Sequence, residues 1–112
     1  MVDLNGRRFS PLSNSEGGRV KSDAVFVYTQ NEDRFTAVYS GEGVSDGHII
    51  GQMTGERTAG LVYHSRSDAG ALEAGRADVT FTLGPNNKVI MDMSWQWLNG
   101  TGAAGTSRYK EI

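Results

Sequence analysis

Cysteine is absent from this 112-residue chain, which rules out disulfides and thiolate chemistry. Histidine occurs twice, with no third ligand at diagnostic spacing, so no metal is expected. Proline also occurs only twice, and no stretch carries the periodicity of a long amphipathic helix. No apolar run approaches the roughly 18 residues of a membrane span, so no membrane partner is expected. The opening Met1-Val2-Asp3-Leu4-Asn5 lacks the apolar core of an export signal, and a cytoplasmic address is the expectation. Neither charge sign dominates: 11 basic and 13 acidic residues leave a formal net charge of −2. Lys and Arg are scattered along the chain, which leaves no electrostatic footprint for nucleic acid. A Ser-His-Asp order, a nucleophile elbow and a Gly-rich phosphate loop are all missing, and no cofactor is expected.

What the chain has instead is glycine and rhythm. Fifteen glycines punctuate short runs in which apolar and polar residues alternate. Such a pattern predicts an all-β fold: one antiparallel up-and-down barrel of about eight strands, forming a single domain over residues 1–112. The expected strands are 7–13, 23–30, 34–40, 47–54, 58–66, 72–83, 88–98 and 103–111. Residues 69–77 offer the one alternative, a short helix, which Gly70 and Gly75 disfavour. Asn99-Gly100-Thr101 matches a glycosylation sequon, but Asn-Gly there reads as a type I′ hairpin turn.

Side chains alternate across a strand, so each segment has two faces. Phe26 and Tyr28 share one face of the second segment, and Phe35, Ala37 and Tyr39 share one face of the third. Ala59, Leu61 and Tyr63 do so in the fifth, Ala77, Val79 and Phe81 in the sixth, and Met91, Met93, Trp95 and Trp97 in the seventh. One shared interior would require this arrangement. That interior is rich in Tyr, Trp and Met and includes Ser65 and Glu73 by parity, which favours a ligand cup slightly over a filled core.

Trp95 and Trp97 either wall a flat ligand or fill the barrel. Tyr39 and Tyr63 either offer hydroxyls to a ligand or close hydrogen bonds across the core. Glu73 is the weak catalytic candidate: apolar surroundings would let its carboxyl serve as general acid or base. Against that, it lies near a strand start, where a barrel mouth would leave it wet. The cluster Asn14-Ser15-Glu16 is either a plain turn or the polar rim of a site. His48 and His64 fall on the outward parity. So do Val25, Val27, Val38, Ile50, Ile90 and Leu98, an apolar outer set that fits a homo-oligomer, dimer or larger.

The run Phe9-Ser10-Pro11-Leu12-Ser13-Asn14-Ser15-Glu16, with Tyr39-Ser40-Gly41-Glu42-Gly43, Trp95-Gln96-Trp97 and the ending Gly105-Thr106-Ser107…Glu111-Ile112, resembles a family of small bacterial proteins. Its members are uncharacterised or labelled N-acetylglutamate synthase. Acetyltransferases of the common fold carry an Arg/Gln-x-x-Gly-x-Gly/Ala turn. Here Gln52-Met53-Thr54-Gly55 starts that pattern, but Arg57 stands where Gly or Ala belongs. The order of Tyr-Ser, Gly-rich turns and a late Gln-Trp-Leu is also similar to avidin-type barrels and, more broadly, calycins. That resemblance implies an internal cup with Tyr39 and Trp97 as ligand contacts and Asn14 as a further one. The Trp that the family carries on its fifth or sixth strand has no counterpart here, so biotin itself is not implied.

Three functional readings follow. The leading one is non-covalent binding of a small, partly apolar ligand, walled by Tyr39, Tyr63, Trp95 and Trp97 and oriented by Asn14, Ser65 and Glu73. The second is a small enzyme using Glu73. The third is a barrel that acts through its surface as an oligomer.

Overall fold

A computed structural model describes residues 1–15, 17–18 and 20–112, so Glu16 of the N-terminal motif lies outside the described residues. Eight strands run in chain order: β1 Arg8–Asn14, β2 Val25–Asn31, β3 Arg34–Gly41, β4 Val44–Met53, β5 Thr58–Ser67, β6 Leu72–Leu83, β7 Val89–Trp97 and β8 Ala104–Glu111. Each pairs antiparallel with its neighbour, and β1 pairs with β8, closing the barrel. Closure leaves no sheet edge unpaired along the ring, the usual β solution to exposed backbone donors and acceptors. The helix considered for residues 69–77 is not formed: β6 starts at Leu72 and pairs in register with β5 from Arg66↔Leu72 onward. Asn99-Gly100 is not a type I′ turn either. Gly100 and Gly102 take positive φ (69° and 71°) but Asn99 does not. Its side chain instead accepts from Ala74 N–H and donates to Leu72 O, tying a longer β7–β8 loop to the start of β6.

Phe9, Phe26, Tyr28, Phe35, Ile49, Leu61, Val79, Phe81, Met91 and Trp95 turn inward as the alternation requires, each 5% exposed or less. The rings need space on the adjoining strand, and glycines supply it. Phe35 sits opposite Gly51, Tyr39 opposite Gly47, Tyr63 opposite Gly75 and Trp95 opposite Gly105. In each pair the ring occupies the position where a Cβ would stand. Each ring thus lies flat across the neighbouring strand, and the barrel accommodates large side chains at normal interstrand spacing.

The two ends of the barrel differ. At one end the segment preceding β1 folds over the opening. Leu4 is fully buried there, and its N–H donates to Gln30 Oε1 at 2.8 Å. Arg7 Nη1 grips both Glu111 carboxylate oxygens (2.8 and 2.9 Å), and Val89 N–H donates to the same carboxylate at 2.9 Å. This end is a packed plug. Among the described residues, the opposite end, where β1 and β7 finish, is not filled in this way.

Candidate functional site

The open end holds a small cup of about 50 Å³, lined by Asn14, Tyr39, Tyr63, Ser65, Trp95 and Trp97 together with Phe26, Met93, Ser107 and Tyr109 among others. Cup and filled core are therefore both present, one at each end. Phe26 stacks on Tyr39 with centroids 4.3 Å apart and meets Tyr109 edge-on at 5.0 Å. Trp97 stands at the mouth, edge-on to Tyr63 at 5.1 Å and to Trp95 at 6.3 Å. Its indole N–H donates to Gly17 O at 3.0 Å, which anchors the β1–β2 loop against the rim.

Asn14 reaches the cup through a backbone irregularity. Phe9 and Pro11 face inward, and strict alternation would bring Ser13 next. The register against β8 shifts between Pro11 and Ser13, so Leu12 is extruded and Asn14 faces Ser107. Proline lacks the N–H of a ladder and belongs beside such a bulge. Ser107 then links the wall: it accepts from Trp95 Nε1 at 2.7 Å and donates to Asn14 Oδ1. Asn14 Nδ2 in turn donates to Val20 O at 3.2 Å.

Three phenols remain neutral in the cup. Burial, then the neighbouring Tyr109 and Glu73, pushes Tyr63 up to about 12. Burial pushes Tyr109 up to about 12 as well, against the opposing hydrogen bond of Ser107. Tyr39 is raised by burial and by Tyr109, against the Ser65 side chain. Among the described residues, the Tyr63 hydroxyl is the one buried side-chain polar atom without a hydrogen-bond partner. The described wall contains no carboxylate, imidazole, amine or guanidinium. Its chemistry is apolar contact, aromatic contact and neutral hydrogen bonding.

Glu73, expected to orient the ligand, is not part of this wall. It pairs with Ser65 near the start of β6 and lines an adjoining open cleft of about 370 Å³ with Asp46, His48, His64 and Arg66, and Ser65 borders both spaces. The first residues of β6 run past the mouth, so a side chain on the inward parity there stands at the rim. Its charge still reaches Tyr39 and Tyr63. His48 and His64 lie on the outer face, as do the exposed Val27, Val38, Ile50 and Leu98, while Val25 and Ile90 there are half-buried.

A family model described as Avidin-like protein matches residues 2–112. The chain belongs to the avidin-like family. No curated protein and no solved structure gives a significant match. The family match carries the avidin-like half of the sequence resemblance and says nothing of a synthase. Among the described residues no helix is long and apolar enough to cross a membrane.

Sequence reasoning missed Ser107 and Tyr109 of this avidin-like cup, and with them Gly18, Val20 and Val44. The signal was available: Tyr109 is the one large ring of the last segment, and its parity places Ser107 inward.

Proposed function

We propose that this avidin-like barrel binds a small, partly apolar molecule, or the small head of a larger one, non-covalently in the cup. The observation that carries the reading is the unpartnered, buried Tyr63 hydroxyl beside an aromatic-walled space. A buried hydroxyl without a partner costs about 1–3 kcal/mol, which an acceptor on a ligand would recover. Because the phenols stay protonated, the complementary group is a hydrogen-bond acceptor such as a carbonyl oxygen. The Asn14–Ser107–Trp95 chain is already in place before any ligand arrives, which limits the ordering cost of binding.

Size sets a bound on affinity. A water needs roughly 10–15 Å³ of such volume, so about four non-hydrogen atoms fit inside. At a ceiling of about 1.5 kcal/mol per atom this gives about 6 kcal/mol, or a Kd of some tens of micromolar. Tighter binding requires a ligand body that continues past Trp97 onto the rim.

Both tryptophans of the chain line the cup, so intrinsic fluorescence reports directly on occupancy. Titration with small linear and cyclic amides should shift that emission for at least one member, and Tyr63→Phe should weaken the response. Emission indifferent to the whole panel, together with native mass spectra free of any carried adduct, would end the proposal.

A further inference from the structure

His48 on β4 and His64 on β5 are directly opposite one another in the antiparallel ladder. Both project from the outer face, away from the cup, and their rings meet edge-on with centroids 5.1 Å apart. His48 Nδ1 and His64 Nε2 are 3.3 Å apart. These are the only histidines in a chain that has no cysteine.

We propose that this pair is a two-point chelate for a late first-row divalent cation, Ni²⁺, Cu²⁺ or Zn²⁺. The spacing is the first argument. With metal–nitrogen bonds of roughly 2.0–2.1 Å, two nitrogens 3.3 Å apart subtend about 104–111° at the ion. That range spans the tetrahedral angle. Donor type is the second: imidazole is a preferred ligand for these ions and a poor one for Mg²⁺ or Ca²⁺. Preorganisation is the third. The register of β4 with β5 is paired continuously from Asp46↔Arg66 to Met53↔Ala59, so the backbones under the two rings are fixed.

Binding needs an unprotonated nitrogen on each ring. The tautomer that binds carries each ring's hydrogen on the remote nitrogen, and a small ring rotation turns both facing lone pairs to one point. Among the described residues no set of three or more His, Asp or Glu could hold an ion, so the remaining positions belong to water. Those waters face the cleft shared with Asp46, Arg66 and Glu73. Asp46 is paired with Arg66 at 3.7 Å. The site is an outer-surface feature independent of the cup and stands whether or not the cup binds a ligand.

Calorimetric titration of untagged protein with NiCl₂ and ZnCl₂ tests it. One equivalent should bind, and saturating metal should raise the Tm. Two linked ligands exceed either alone by roughly a hundredfold or more, so His48→Asn and His64→Asn should each weaken binding by at least that factor. The double variant should bind no better than either single one, and none of the three should gain Tm from metal. Both side chains are at the outer surface, and circular dichroism checks that each variant is folded. If a variant does not fold, selective broadening of the two histidine ring signals by substoichiometric Ni²⁺ in the unaltered protein gives the same answer. Absence of binding, variants that bind unchanged, or broadening elsewhere would overturn the proposal.

Discussion

Replacing Tyr63 by Phe removes one oxygen and little else. The ring keeps its edge contact with Trp97 at 5.1 Å and its place over Gly75. The lost hydroxyl is buried and has no partner among the described residues. An unsatisfied hydroxyl of this kind costs about 1–3 kcal/mol. The adjoining cup, at about 50 Å³, has room for water to offset part of that. The lower end of the range therefore applies, and Tyr63→Phe should stabilise the ligand-free protein by about 1 kcal/mol. For a domain of this size that is about 4 °C in Tm. Urea unfolding followed by tryptophan emission, with calorimetry alongside, measures it. Any ligand that uses the hydroxyl should lose about 1 kcal/mol of affinity in the same variant, roughly fivefold. A variant destabilised by 1 kcal/mol or more would refute the reasoning, because the hydroxyl would then have a structural partner and no vacancy to fill.

Gly51→Ala places a methyl where the Phe35 ring lies, at the plugged end. It should cost about 1–3 kcal/mol by overpacking, measured by urea unfolding, while leaving amide titrations of the cup unchanged. Tyr28, Tyr39, Tyr63 and Tyr109 are all held above the ordinary phenol value, chiefly by burial. Unfolded tyrosines ionise first, so stability is intact below about pH 10 and falls as pH rises further, by about 1.4 kcal/mol per unit for each phenol still protonated in the fold. Coincident tyrosinate absorbance and loss of circular dichroism would show this; phenols that titrate freely near pH 10 in the folded barrel would contradict it. At the acid side, burial pushes Glu111 up, but the Val89 N–H and the Arg7 guanidinium more than offset this and hold it below its ordinary value. Its contribution is therefore present above about pH 4.3 and lost as pH falls through the folded value, and Glu111→Gln should flatten the acid limb of a stability–pH curve.

The eight-strand meander was legible because alternation of period two is a local property: Phe35-Thr36-Ala37-Val38-Tyr39 states its own inner and outer face. The wall residues Tyr39, Tyr63, Ser65, Trp95 and Trp97 follow from that parity alone. Three things did not follow from it. Asn14 stands on the wrong parity by simple counting and enters the cup only through the bulge at Leu12, which exists because β1 must pair with β8, nearly a hundred residues away in the chain. Glu73 stands on the right parity but too near the end of its strand, and strand length relative to the barrel mouth is a property of the closed ring. Plug and cup were indistinguishable in the sequence, since both ends are written in the same aromatic and small residues. Leu4 docks fully buried over one opening, whereas among the described residues the other receives only the half-buried Val20 of the β1–β2 loop, and this difference made one end solid and the other hollow. Local periodicity determined which side chains face inward; long-range pairing decided what they meet there.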